Sequence, residues 1–480
     1  MSDIYAVWLR NDLRFHDNRA IHQALRAACE TNGRVVLFFH LHPNFVTTID
    51  LHHDYFFQSV HHFQKRCQQL NLHLPIFFGD PHEAFSKLLA SFNTLKAVFY
   101  QKDYTRFGKE RDKEITSFLH NKGIATYGFS GSHIVEPDEL TKADGTPYHV
   151  FTPYFRKWQQ HLKPKTVSIN LEELKNRYVC HDSHNIQDDT PFFNHHVLAH
   201  CHQHWTDIGE EKATELLEQF IEERLTTYAE LRDQPAQSGT SNLSPFIKTG
   251  ALSPATIFHS VTAHIDTAGK GAETFIKELA WRDFYAMIYH VYPETDTQEY
   301  QLKYRDLPWR RDEDELWQRW ITGTTGFPIV DAGMRQLNET GWMHNRLRMV
   351  TASFLTKDYL IDWRLGEAYF AKKLIDYDIA SNVGGWQWAA SVGTDAVPYF
   401  RVFNPTRQSE HFDPKGLFIK QYVPELAQVP VKYIHHPATM PHATQQASTC
   451  LIGHDYPEPS VDHALQRKKT IAIFKEENLS

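Results

Sequence analysis

Three short blocks in the second half of the chain carry side chains at spacings that suit chemistry better than packing. The first is Lys277-Glu278-Leu279-Ala280-Trp281-Arg282-Asp283-Phe284-Tyr285. On a helix, Glu278, Trp281, Arg282 and Tyr285 fall at i, i+3, i+4 and i+7 and share one face. A carboxylate, an indole, a guanidinium and a phenol make a poor core stripe; the plain alternative is a salt-bridged surface with an aromatic lid. The second block is Gly341-Trp342-Met343-His344-Asn345-Arg346-Leu347-Arg348-Met349. Asn345 and Met349 share a face, and an amide can bond both a carbonyl and an imide N–H, the pattern on a pyrimidine edge. Methionine adds a soft contact for a planar group. Arg346 and Arg348 project to different sides, one free to meet a phosphate and the other to pair inward. The third block runs Asp376-Tyr377-Asp378-Ile379-Ala380-Ser381-Asn382-Val383-Gly384-Gly385-Trp386-Gln387-Trp388. Here two carboxylates and an amide precede a Gly-Gly that admits a ligand close to the backbone. Trp386 and Trp388, two residues apart, cannot share one packing task on a helix.

The elements that must position these blocks follow from composition and periodicity. The 480 residues, 41% hydrophobic and 22% charged, fit a globular chain of two or three domains and exclude disorder, collagen or coiled coil. A formal charge of -8 argues against a nonspecific nucleic-acid coat but leaves room for a local basic groove. Aromatic residues reach 13%, and Trp281, Trp309, Trp317, Trp320, Trp342, Trp363, Trp386 and Trp388 crowd one region, a hint of redox or base-stacking chemistry. Short apolar runs at Tyr5–Leu9, Val35–His40, Leu74–Phe78, Ala97–Tyr100 and Ile124–Tyr127 alternate with helical spacing, which predicts a doubly wound parallel sheet. No GxGxxG follows the first run, so the dinucleotide fingerprint is absent. Periodicity fails from 161 to 207, through Pro164, Asp182-Ser183-His184-Asn185 and a histidine tract, and then turns helical almost to residue 400, with helices over Glu273–Tyr292, Pro328–Glu339, Met343–Asp358 and Leu365–Asp376. The expected partition is an α/β domain over 1–130, a connector over 131–207, an all-helical domain over 208–425 and a tail over 426–480. His195, His196, His200, Cys201, His202 and His204 match no zinc spacing, so no metal is expected. Five cysteines without CxxC spacing, no 20-residue apolar run and an opening that reads as a strand rather than a leader point to a cytosolic chain without a disulfide framework.

From Gly323 to Gln408 the sequence closely resembles the photolyase/cryptochrome family, and within it the class I group acting on cyclobutane pyrimidine dimers. Val-Trp-Leu-Arg-Asn-Asp-Leu-Arg-Phe-His-Asp-Asn at 7–18 and Gly239-Thr240-Ser241-Asn242-Leu243-Ser244-Pro245 resemble the same family. The resemblance spans almost the whole chain. It implies an α/β antenna domain, a connector and a helical domain holding FAD, in a monomer that repairs UV-damaged DNA under light. It further implies FAD contacts from Tyr228, Thr240, Ser241, Asn242, Leu243, Ser244, Phe275, Arg348, Asp376, Tyr377 and Asp378, with Asn382 facing the flavin's central ring. Glu278, Trp281, Asn345, Met349 and Trp388 match the lesion pocket, and Arg232, Arg282, Arg346 and Gln408 match DNA contacts. Trp309, Trp363 and Trp386 match an electron-transfer chain from surface to flavin, with Trp317 as a substitute for Trp309 because one residue is inserted between Trp309 and Trp320.

The alternatives within and beyond that family are a cryptochrome photoreceptor, a photolyase for pyrimidine–pyrimidone photoproducts and a flavin oxidoreductase working in the dark. The photoproduct enzymes are expected to carry a His pair where Asn345 and Met349 stand. Relatives that bind methenyltetrahydrofolate often carry Asn-Glu where this chain has Phe107-Gly108. The antenna is therefore open among that folate, a deazaflavin, another flavin and none.

Overall fold

The computed structural model describes residues 2–179, 186–312 and 314–477; Cys180 and the Asp182-Ser183-His184-Asn185 stretch of the expected connector lie outside them. Two compact units result. The first comprises Met1–Tyr148, Thr152–Thr226 and Ser241–Pro293; the second comprises His149–Phe151, Thr227–Thr240 and Glu294–Ser480.

In the first unit, β1 (Ile4–Leu9), β2 (Arg34–Leu41), β3 (Ile76–Phe78), β4 (Leu95–Gln101) and β5 (Ala125–Phe129) form one sheet in the order β3-β2-β1-β4-β5. Every pairing is parallel, so each return crosses a face through a helix. The inner strands β1, β2 and β4 are largely apolar on both sides because both faces are covered, whereas the edge strand β5 leaves Tyr127 exposed. Tyr5, Val7 and Leu9 of β1 join a cluster with helices α1 (Arg19–Thr31) and α2 (Leu51–Gln69). Ile4, Ala6 and Trp8 face α3 (Pro81–Ser91) and α4 (Arg106–His120) instead. That alternation is the doubly wound arrangement the five apolar runs predict. The irregular stretch holds more structure than its sequence pattern offers: a helix over Leu171–Arg177, capped by Asn170, and a helical turn over Thr190–Phe192.

The same unit ends in a 22-residue helix, Lys270–Val291. Its buried Asp283 accepts from the Val135 N–H (2.9 Å) and the Trp158 indole (2.8 Å). Burial pushes that carboxyl up, against the pull of His133 and these donors.

The second unit is helical. Pro328–Thr340, Asn345–Ser353, Trp363–Lys373 and Ile379–Ala390 surround a core containing Trp317, Trp320, Trp363 and Trp386. The expected helix over Met343–Asp358 instead begins at Asn345, where His344 caps it, and its last turn, Phe354–Asp358, widens to π geometry. The stretch beyond 425 is folded as well. Tyr456 donates to the buried Asp331, Ser460 N–H to the Thr325 carbonyl (2.9 Å), and His463 meets Asp358 at 2.6 Å. A helix over His463–Glu477 then seats Phe474 against Tyr304, Trp309 and Tyr399. Single anchors such as Phe474 hold this helix. It has no continuous apolar stripe, so periodicity could not reveal it. Among the described residues, no helix is long and apolar enough to cross a membrane, and Cys29, Cys67, Cys201 and Cys450 are free thiols.

Because Phe474 is fully buried, Phe474→Ala is expected to destabilise the protein by about 3–5 kcal/mol in urea unfolding. A loss under about 1 kcal/mol would mean the C-terminal helix is a loose appendage.

Candidate functional site

In the second unit one cavity, about 570 Å³ including the space it shares with open solvent, gathers residues from the second and third chemical blocks. Asn345, Arg348 and Met349 line it from one helix; Asp376 and Asp378 from a turn; Ser381, Asn382, Gly385 and Trp386 from the next helix. Asp378 caps the Ile379–Ala390 helix by accepting from Ser381 N–H (2.9 Å), and this fixes the register that turns Asn382 and Trp386 to the cavity. Gly385 has open space where a Cβ would be. Gly366 is needed for a different reason: a Cβ there would overlap the Trp386 ring, which packs against Phe370 at 5.0 Å.

Charge in the cavity is paired. Arg348 donates to Asp376 Oδ2 (2.8 Å) and to the Met343 carbonyl (2.8 Å). Asp376 Oδ1 is buried and has no partner among the described residues, as is the Trp386 indole N–H. Both are orphaned polar atoms beside an open volume, as expected where a polar ligand completes the bonding. Asn382 donates to the Glu367 carboxylate (3.0 Å) and, at 3.3 Å, to the Glu367 carbonyl. A carboxylate partner forces the NH₂ outward from the cavity and leaves the amide oxygen as an acceptor. Glu367 also accepts from Tyr377 (3.1 Å), and burial raises its carboxyl above the usual range against both of these bonds. Asn345 and Met349 share a face as expected, with the Asn345 amide 3.9 Å from the Met349 sulfur.

The remaining predicted residues of this unit lie as follows. Arg346 pairs with Asp233 (3.0 Å) and stacks over Phe412 at 4.2 Å; both arginines of the second block are therefore ion-paired. Gln408 stands on the helix bearing Phe412, with its amide oxygen buried and unpartnered among the described residues. Arg232 lies 5.5 Å over the Tyr228 ring. Trp388 is half-buried against Phe403. Trp309 and Trp363 both donate to Glu299 (3.1 and 3.2 Å). Trp317 stacks on Trp320 at 5.5 Å, and Trp320 meets Trp386 edge-on at 6.0 Å. Thr240 lies half-buried at the edge of this unit.

In the first unit, Glu278, Trp281, Arg282 and Tyr285 are each half-buried on one helix, as their spacing predicts. Trp281 and Tyr285 are in contact at 5.6 Å, and Arg282 donates to the Ser132 carbonyl (2.6 Å). Phe275 packs on Phe220 at 4.7 Å. Asn242 holds φ +57, the left-handed conformation Asn tolerates, between Ser241 and Leu243 and ahead of the Ser244–Thr249 turn of helix. At the C-terminal edge of the sheet, where doubly wound folds take ligands, Arg10 (3.8 Å) and Arg111 (4.8 Å) both lie against the Trp8 indole and pair with Asp112. A Cβ on Gly108 would overlap the Asp103 carboxylate, which Thr105 and Arg111 hold. Among the described residues no cluster suits a metal ion.

Sequence reasoning missed Glu299, Glu367 and Asp233. Glu367 lies four residues beyond Trp363 on one helix, a spacing that could have exposed it. Glu299 sits in a loop and gave no periodic signal.

Two family models match the chain: "DNA photolyase" over residues 5–173 and "FAD binding domain of DNA photolyase" over residues 275–476. A deoxyribodipyrimidine photo-lyase of Alkalihalophilus pseudofirmus is 47% identical over 471 residues, covering 98% of this chain and 97% of that protein. Among solved structures, a class III photolyase from Agrobacterium tumefaciens is similar with a TM-score of 0.85 and 32% identity, covering 100% of this chain and 98% of that one. A cryptochrome from Synechocystis has a TM-score of 0.87 at 27% identity, covering 98% and 99%.

The helix that presents Asn345, Arg348 and Met349 is capped by the buried His344 imidazole, which accepts from Arg346 N–H (3.1 Å). Burial, aided by Arg346 and Arg348 and opposed by Asp233, lowers this imidazole from 6.5 to about 4. Between those values the unfolded chain holds the extra proton. The His344 contribution is therefore complete above about pH 6.5 and is lost as pH falls toward 4, by up to about 1.4 kcal/mol per unit. His344→Asn keeps a capping acceptor and is expected to flatten this part of the pH–stability curve. Identical slopes in urea unfolding for both proteins would refute the assignment.

Proposed function

The chain belongs to the DNA photolyase family, and we propose that it repairs cyclobutane pyrimidine dimers in UV-damaged DNA, in light, with FAD as its cofactor. Reduced FAD supplies, on excitation, the electron that opens the cyclobutane ring and takes it back afterwards. The observation that carries this reading is the single cavity in which flavin-type residues (Arg348, Asp376, Asn382, Trp386) and lesion-type residues (Asn345, Met349) share one wall.

The chain's own residues divide the work. Arg348 and Asp376 hold opposite charges at the ring, and the Asp376 Oδ1 left without a protein partner is free to accept a ring N–H. Asn382, oriented by Glu367, offers an acceptor and no charge, which favours a reduced anionic ring over a protonated one. Asp378 and Tyr377, in the same segment, would contact the rest of the cofactor, Asp378 at its ribose. By the family resemblance, phosphate contacts fall to Tyr228, Thr240, Ser241, Asn242, Leu243 and Ser244, and Phe275 is an aromatic wall. A dimer inside a duplex cannot reach a buried flavin, so it is flipped out, which costs least where damage has weakened pairing. Trp281 and Trp388 stack on the extruded bases, Asn345 and Met349 address the pyrimidine edge, and Glu278 hydrogen-bonds the base that receives the electron. Arg232, Arg282, Arg346 and Gln408 meet the DNA backbone, Arg346 by exchanging Asp233 for a phosphate. Trp309, Trp363 and Trp386 pass electrons inward to keep the flavin reduced.

The partition at 1–130, 131–207, 208–425 and 426–480, a monomer and a cytoplasmic location belong to the same reading; free cysteines support the last. Phe107 and Gly108 weigh against methenyltetrahydrofolate as antenna, since a longer residue at 108 meets Asp103. A blue-light photoreceptor is the second reading, favoured by the likeness to a cryptochrome structure.

Incubating the flavin-loaded protein with a thymine-dimer oligonucleotide in blue light and in darkness separates these readings. Restored thymines in light alone are expected; repair in darkness, or none in light, contradicts the proposal. Trp388→Ala is expected to weaken binding of dimer-containing DNA by about tenfold or more, the worth of one stacked base, with little change for undamaged DNA. Equal losses on both DNAs would remove Trp388 from the lesion pocket.

A further inference from the structure

Glu299 is buried to 1% exposure in the loop that follows Pro293–Asp296. Its Oε1 accepts from the indoles of both Trp309 (3.1 Å) and Trp363 (3.2 Å), and its Oε2 accepts from Arg364 (2.6 Å). Arg364 is held in turn by Asp362 (2.9 Å) and by the Thr297 carbonyl (2.6 Å). An ion pair alone would account for a buried carboxylate. It would not account for two indoles sharing one of its oxygens. An indole N–H is content with a backbone carbonyl, as Trp320 is with Thr351 O at 3.1 Å. Trp386, the innermost of the three, has no N–H partner among the described residues. The negative charge therefore touches the two outer tryptophans and not the inner one.

We propose that Glu299 is a positioning residue that stabilises the electron hole on Trp363 and Trp309 relative to Trp386, so that charge moves one way along the chain. This rests on the reading of these tryptophans as the flavin's electron supply. The photoexcited flavin is the oxidant: it takes one electron from Trp386, which is refilled from Trp363, and Trp363 from Trp309. The net change is one electron on the flavin and one missing from Trp309, whose indole proton stays in the hydrogen bond to Glu299 Oε1. An external thiol reductant restores Trp309. The carboxylate, about 3 Å from both indole nitrogens, lowers the energy of the hole by Coulomb attraction that outweighs the opposing Arg364 guanidinium 4.7 Å over the Trp363 ring, while no such partner favours return to Trp386.

Flash photolysis of the flavin-loaded protein, following tryptophan-radical absorption, tests this with Glu299→Gln, which keeps shape and loses charge. Glu299→Asp, which keeps charge and withdraws it from the indoles, is the second variant should Gln fail to fold. Recombination faster by roughly tenfold or more is expected in each variant that folds. Wild-type lifetimes in either variant would overturn the proposal. A merely structural Glu299 would lower the unfolding midpoint of the flavin-free protein and leave the radical lifetime unchanged, which also overturns it. Whether the wild-type protein repairs dimers is measured separately on chemically reduced protein, so failure there bears on the function and the radical lifetimes alone decide Glu299.

Discussion

A carboxylate removed from water must be met by a cation or by several N–H groups, and the helical unit is arranged around that requirement. Asp376 meets Arg348, Glu299 meets Arg364 and two indoles, Glu367 meets Asn382 and Tyr377, and Asp331 meets Thr325 and Tyr456. Several of these contacts join elements distant in sequence, as Glu299 does to Arg364 and Tyr456 to Asp331. Removing one partner would leave an unpaired buried charge, a cost of about 3–5 kcal/mol, so these contacts fix where the cavity walls stand. The Arg348–Asp376 pair matters most, because it holds the helix bearing Asn345 and Met349 to the turn that starts the helix bearing Asn382 and Trp386.

The same economy explains why chemistry and packing coexist on single elements. Along Ile379–Ala390, Asn382 and Gly385 face open volume while Trp386 fills the core, and Gly366 exists to admit that indole. Trp309, Trp363 and Trp386 are core residues, and the first two also donate their indole N–H to Glu299.

How much of this the sequence carried varies by element. The inner strands of the sheet were legible because strands buried on both faces read as unbroken apolar runs, and Tyr5–Leu9 or Val35–His40 have no competing pattern. The Glu278–Tyr285 face and the Asn345/Met349 pair followed from helical spacing. The C-terminal helix was hidden, since Phe474 and Thr470 anchor it without a repeating stripe. Glu299 and Asp233 were hidden for another reason: a loop residue's partner is decided by tertiary approach, and no local spacing encodes it. The ion pairing of Arg346 was likewise invisible, because Asp233 lies more than a hundred positions away.

The claim on which the account turns is that the Arg348–Asp376 pair and its unfilled Oδ1 form the seat of the flavin ring. Titrating FAD into flavin-free protein, wild-type and Asp376→Asn, tests it most directly. One FAD per wild-type chain and an affinity weaker by about tenfold or more in the variant is the predicted result; no saturable binding, or the same Kd in both, would contradict it.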